Sequence, residues 1–345
     1  MTDWILLLTP VLVLPIVLLL PFVGCQPFSS TDPDPVALEP PPASGPAPTP
    51  PPTPGVQPPT TPPKYRDYIL GIQPNPGLVK NAGVVPNGAD VIAYWRLVDA
   101  AASTTALDEK GFQNGTYKEG YKLDPIASTA TAAGSEGRNP AHFTTGENSL
   151  VDSEPAVKCR FFDGGHVLVP YKPGLYADQF TLEAWIATGT LAAGYEHTLF
   201  DAGGRYASPA GSPVSERGFR IYANRDGKWQ VRLAPSTTDL FPMPILVPFG
   251  ARTHVALTVA NDGPGGVAKK ATLYVDGKVA GTASLAAYAP PHDAPLFIGV
   301  ENTTRSPTAA ANLRNPVLCR VQEVVMHRKA LSKEEIENHV DINRN

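Results

Sequence analysis

Hydrolysis of a glycosidic bond with retention needs two carboxyl groups about 5.5 Å apart, which a strand supplies at alternating positions as in Glu-x-Asp-x-x-Glu. No such triplet occurs in the 345 residues. Glu183 stands in Phe180-Thr-Leu-Glu-Ala-Trp-Ile186, and its one near acidic neighbour, Asp178, falls outside that run. The chain therefore reads as a non-enzyme. The seven histidines are scattered, with no pair at i, i+2 or i, i+4. Local spacing thus gives no zinc signal. Cys159 and Cys319 have no histidine within a few residues, so neither forms a local ligand pair. Tyr195, Tyr206, Tyr222 and Trp229 could stack on a sugar ring. Aromatic residues at alternate positions of a sandwich strand are more often core, and both readings stand. Tyr195, Tyr206 and Trp229 are the candidates for a ligand rim.

These residues need elements to hold them. Phe180–Ile186 alternates apolar and polar positions, which predicts a strand with one face inside. Asp163-Gly-Gly165 supplies a turn before Val167-Leu-Val169. Asp90–Asp99 (DVIAYWRLVD) is the first clear strand. Phe219–Ala223 and Trp229–Leu233 alternate across Asn224-Arg-Asp-Gly-Lys228, a hairpin composition. His254–Val259 and Ala271–Val275 repeat the pattern, and Asp276-Gly277 turns the chain back into Lys278-Val-Ala280. Val321–His327 is the last strand. Ser332-Lys-Glu-Glu335 has capping-box spacing and predicts a short terminal helix. Many short strands with this punctuation predict an all-β, two-sheet antiparallel sandwich.

The order AYWRLVD, CRFFDGG, FTLEAWI, HTLFDAGG, GFRIYANRDGKWQVRL, THVALTV, ATLYVDGKVAGT, LFIGV and VQEVVMHRKALSKEEI resembles the laminin-G-like, concanavalin A-type jelly roll over residues 90–340. The resemblance implies two stacked antiparallel sheets of six or seven strands each. Such domains often hold one Ca²⁺ at the rim, with Asp163, Asp201, Asp262, Glu301 and Asn302 as candidate oxygen ligands here, no spacing singling out a set and solvated turn aspartates as the alternative. The resemblance also places the early and terminal strands close together. Cys159 and Cys319 then form a candidate disulfide in an oxidising compartment, with two buried thiols as the alternative. Gln322-Glu323 stands where relatives often carry Asp-Glu, a position that hydrogen-bonds at the sheet rim. Phe162, Trp185 and Ile186 are expected core.

Upstream of the domain the chain is built differently. Trp4–Gly24 carries no charge and is long enough to span a bilayer. It ends Phe22-Val-Gly-Cys25, which resembles a bacterial lipobox with Cys25 as the lipidated residue. An uncleaved transmembrane anchor and a simple cleaved signal remain open. Residues 26–63 hold 16 prolines, favour extended polyproline II at ~3.1 Å per residue and reach ~100 Å. Residues 64–89 read as an arm that packs on the sandwich or on a partner. The domain proper is 90–345. It carries a Thr/Ala/Ser/Gly-rich insert, 122–155, and long loops at 205–217 and 301–316.

A net charge of −4, a pI near 6.0 and the lack of any Lys/Arg run argue against nucleic acid. The expected function is a non-catalytic binding module for a glycan or protein, membrane-anchored and facing the periplasm or exterior of a bacterium. It requires no cofactor beyond the candidate Ca²⁺. The alternative is a structural accessory subunit of a membrane complex, with partner subunits docked on the arm and loops.

Overall fold

The computed structural model describes residues 65–72, 80–81, 83–84, 87–100, 103–118, 143–147, 149–151, 159–188, 195–206, 215–236, 239–241, 245–246, 250–302 and 313–344. The apolar run, Cys25 and the proline-rich segment lie outside the described residues. Among the described residues, no helix is long and apolar enough to cross a membrane.

Two antiparallel eight-stranded sheets form the domain. The count exceeds the expected six or seven because the two-residue edge strands Thr105–Ala106 and Ile245–Leu246 extend the second sheet and Val91–Trp95 pairs off the main path of the first. In the first sheet the order is Lys278–Leu285, Lys269–Val275, Arg252–Asn261, Phe180–Thr188, Leu318–His327, Cys159–Asp163 and Phe143–Glu147, with Val91–Trp95 also paired to Leu318–His327. Strand Phe143–Glu147 lies inside the insert 122–155 and pairs with Cys159–Asp163. The second sheet runs Ile245–Leu246, Lys228–Leu233, Phe219–Ala223, His197–Asp201, Leu296–Ile298, His166–Val169, Gly115–Lys118 and Thr105–Ala106.

Local chemistry fixes the registers. Asn224 Oδ1 accepts from the amides of Asp226 and Lys228, and Gly227 takes φ +71°, so the hairpin closes and Tyr222 pairs with Gln230. Asp276 and Gly277 both have positive φ, which matches the twist of a two-residue hairpin.

The alternate residues of each strand meet between the sheets. Ile186, Leu182, Phe162, Val167, Ile221, Trp229, Val231, Leu257 and Val321 belong to this cluster, all almost wholly excluded from water. Each such large side chain contributes about 1.5–3 kcal/mol on leaving water.

The outer face of the first sheet is also covered. Helix α1 (Tyr65–Ile69) and helix α2 (Lys333–Arg344) pack on it. In α2, Ile336, His339, Val340 and Asn343 recur at helical spacing and all are buried, so this stripe faces the sheet. Ser332 and Glu335 cap α2 reciprocally, amide to carboxylate at 2.8 Å and amide to hydroxyl at 3.2 Å. The segment entering the domain is tied to α2 as well: Asn338 Nδ2 donates to the carbonyls of Asn81 and Val84, and Asn81 N donates to Asn338 Oδ1. Strand Phe180–Thr188 is consequently buried at every position rather than on one face. The alternation in FTLEAWI separates two buried environments, and its one ionisable member faces the helices.

Candidate functional site

Two groups of polar side chains stand out, one on the outer face of each sheet. On the first sheet, Glu183 is fully buried. Its Oε1 lies 2.8 Å from His327 Nε2 and 2.9 Å from His339 Nδ1. Its Oε2 lies 2.9 Å from His339 Nδ1 and 3.1 Å from His254 Nε2. The strands place three of these residues side by side, since Val325 pairs with Glu183, His327 with Thr181 and His254 with Trp185, while α2 brings His339 down from above. Burial alone would raise the Glu183 carboxyl. The electrostatic pull of His339 and the close approach of nitrogens from His254, His327 and His339 overcome that and hold it well below the usual carboxylate range.

Beside it on the same face lies Glu323, also fully buried and in the left-handed region at φ +56°. A bulge in the pairing between Gln322 and Val325 puts it there. Arg96 Nη2 reaches its Oε1 at 3.1 Å, Gln322 Nε2 donates at 3.0 Å, and the Tyr94 hydroxyl donates to Oε2. Burial pushes this carboxyl up, with Arg96 and the hydrogen bonds of Tyr94 and Gln322 pulling the other way. The Gln322-Glu323 pair thus makes hydrogen bonds, as the resemblance implied, but beneath the helices and not at a rim.

On the second sheet, Arg220 reaches Glu196 at 2.9 Å and Glu301 at 3.0 Å, and its Nε donates to Thr198 Oγ1 at 3.0 Å. Its guanidinium lies 4.1 Å from the centroid of Tyr222, and that of Arg232 lies 4.9 Å from the same centroid. The Tyr222 hydroxyl donates to Asp239, which also accepts from Arg232 Nε at 2.9 Å. Arg232, Asp239, Glu196 and Glu301 retain contact with solvent, so this group is reachable from outside.

The structure revises several sequence expectations. Cys159 and Cys319 are both buried and are not joined in a disulfide. Their strands are neighbours, but Cys319 pairs with Phe162, three rungs from Cys159. An odd offset turns the two side chains to opposite faces: Cys319 joins the core between the sheets and Cys159 the cluster under the helices. At ~3.4 Å per residue the backbones are also too far apart for a bridge. Burial, then the neighbouring Cys159, raises the Cys319 thiol far above the ordinary range.

The five candidate calcium ligands do not converge. Asp201 and Glu301-Asn302 lie together, with Asp201 Oδ1 accepting from Gly203 N at 2.8 Å and Oδ2 from Asn302 N at 2.7 Å. Burial and then Glu301 push the Asp201 carboxyl up to about 7. The cation between Glu196 and Glu301 is the Arg220 guanidinium. Asp262 is at a hairpin of the first sheet, accepting from Ser284 Oγ at 3.0 Å, and Asp163 ends a strand of that sheet. Of the rim aromatics, Trp229 is in the core between the sheets, where alternate strand positions put it. Tyr195 is half-buried just before strand His197–Asp201, and Tyr206 ends the short strand Gly204–Tyr206.

Sequence reading missed the Glu183 group because its three histidines come from two strands and a helix separated by 73 and 12 residues. No linear spacing could have shown it. The one usable signal was Glu183 itself, an acid amid apolar neighbours.

Two packed antiparallel sheets with loops at their ends define a lectin-type jelly-roll domain. Residues 162–337 match the family model Laminin_G_3, described as the concanavalin A-like lectin/glucanases superfamily, and the chain belongs to that family. No curated protein sequence matches it. Among solved structures, Trypanosoma rangeli sialidase with 2,3-difluorosialic acid aligns at a TM-score of 0.50 and 15% identity over 81% of this chain. This chain spans only 37% of that sialidase. Domain 4 of AbnA, a GH43 extracellular arabinanase from Geobacillus stearothermophilus, solved with arabinotriose, aligns at 0.46 and 15% over 73% of this chain and 98% of that domain. The binding domain of Paraclostridial Mosquitocidal Protein 1 aligns at 0.43 and 13%, over 72% and 51%. The likeness to the sialidase is of fold.

Proposed function

We propose that the chain is a non-catalytic binding module for a glycan or protein, tethered outside the cytoplasmic membrane by its first 25 residues and held off by residues 26–63. The observation that carries the reading is the reachable group around Tyr222 on the outer face of the second sheet. The Tyr222 ring is itself fully buried against two guanidinium groups, and what meets solvent is the Arg232 guanidinium with Asp239, Glu196 and Glu301, a planar cation beside carboxylate acceptors. That is the chemistry by which sugars and polar peptide segments are held. Both buried carboxylates of the first sheet are engaged internally, Glu183 by histidines and Glu323 by Arg96, beneath α1 and α2. This supports binding over hydrolysis. The arm read as a docking element for partner subunits packs on the chain's own first sheet and α2, which favours the binding module over an accessory subunit.

The test is the full-length chain in mild detergent, applied to a glycan array and in parallel analysed for co-purifying proteins. A defined glycan or protein ligand whose affinity falls at least tenfold with Arg232→Ala supports the proposal. Release of free sugar from a bound glycan, or ligand binding unchanged by Arg232→Ala, overturns it.

A further inference from the structure

We propose that Glu183, His254, His327 and His339 form a buried site for a zinc-class divalent metal ion that fastens α2 to the first sheet. The potential ligand atoms of Glu183, His327 and His339 lie within 4.8 Å of one another. His254 Nε2, 3.1 Å from Glu183 Oε2, supplies a fourth donor. Three imidazoles and one carboxylate are a zinc donor set, and a nitrogen-rich set disfavours calcium and magnesium.

His254 decides between a metal site and a plain hydrogen-bond cluster. Its side chain has no exposure, yet neither ring nitrogen has a hydrogen bond of good geometry, Nε2 meeting only the Glu183 carboxylate at 3.1 Å. Nε2 is close enough to Glu183 Oε2 but lies off the line along which an N–H could donate. Hydrogen bonding therefore explains His327 and His339 and leaves His254 unexplained. A metal ion accepts the Nε2 lone pair without requiring that Nε2 point at the oxygen. Ligands bonded at about 2.0–2.1 Å in a tetrahedron stand about 3.3 Å apart, close to the observed separation.

The surroundings suit a structural ion. Packing orients the rings: Trp185 lies 5.1 Å from His254 and Tyr68 lies 5.9 Å from His339, centroid to centroid. Four protein ligands leave no open coordination position, as in closed structural sites. A cavity with room for about one water molecule, lined in part by Asp90, Glu335 and two of the four residues, His327 and His339, borders the group. The four ligands come from two central strands, the last strand and α2, so one ion would join elements from residue 180 to residue 344.

The experiment uses the full-length chain, purified in mild detergent and dialysed against a weak chelator. Elemental analysis should find about one zinc per chain, falling at least fivefold in Glu183→Gln and His254→Ala. Stripping with a strong chelator should lower the wild-type melting temperature, and Zn²⁺, but not Ca²⁺, should restore it. Co²⁺ in place of zinc should give the intense visible bands of tetrahedral nitrogen and oxygen coordination. Should a variant fail to fold, the wild-type measurements alone decide. Wild-type protein that holds no zinc, gains no stability from Zn²⁺ and shows no tetrahedral Co²⁺ spectrum overturns the proposal.

Discussion

Cys159 and Cys319 stand on adjacent antiparallel strands yet project from opposite faces of the first sheet, three rungs apart. Each is sealed in its own apolar cluster, and burial raises the Cys319 thiol beyond the range where a thiolate forms. Native protein should leave both thiols unreacted with iodoacetamide, and denatured protein should react at both, read by mass of the peptides carrying them. A reducing agent should not shift the melting temperature. A disulfide-linked peptide pair would contradict the geometry.

Glu323 and Arg96 form a buried pair with Tyr94 and Gln322. Removing one member leaves the other charge in the protein interior without its counter-ion. Glu323→Ala should cost about 3–5 kcal/mol in urea unfolding. The double variant Arg96→Met, Glu323→Leu should recover a large part of that loss, because it removes both charges and keeps the volume. Additive losses would show that the two side chains act independently.

His166 gives the domain an acid limit. Burial, then the nearby Lys118, lowers its imidazole from 6.5 to about 3. The unfolded chain therefore binds a proton at this position between pH 6.5 and 3 that the folded chain refuses. Stability is complete above the unfolded value and falls as pH drops through that window, by up to ~5 kcal/mol from this group. Denaturant titrations of wild type and His166→Leu at pH 7 and pH 4 should show a smaller acid loss in the variant. Parallel pH profiles would assign the acid limb to other groups.

The reciprocal cap between Ser332 and Glu335 opens α2. Ser332→Ala should cost about 1 kcal/mol. Hydrogen exchange should quicken at the first turn of α2 while the strands stay protected. An unchanged exchange pattern would show that burial of Ile336 and Val340 holds the first turn without the cap.

Much of the fold was legible because turn chemistry and alternation are local. Asn224 to Gly227, Asp276-Gly277 and the Ser332 cap each act within a few residues, and each forms the turn or helix end that the sequence implied. Side-chain destination was harder to read. Trp229 and Tyr222 both alternate on the strands of one hairpin, and their opposite destinations depend on which face meets the other sheet. Phe180–Thr188 is buried on both faces because a helix 150 residues later lies on its outer side. The Glu183 group was invisible for the same reason. It exists only where two strands and a helix are brought together, and no period in the chain encodes that.

Helix α1 has a mechanical consequence. A pull on the chain from its N-terminal side reaches Tyr65 and Tyr68 before it reaches any strand of either sheet. Those rings are lodged against Trp185 and His339, and Arg66 is latched to Glu109 at 2.8 Å. Tension is thus delivered to the middle of the first sheet and to the terminal helix, bypassing Val91–Trp95, whose ladder would otherwise open rung by rung. The five residues of α1 work as a strain relief, like the grip where a cable enters its housing.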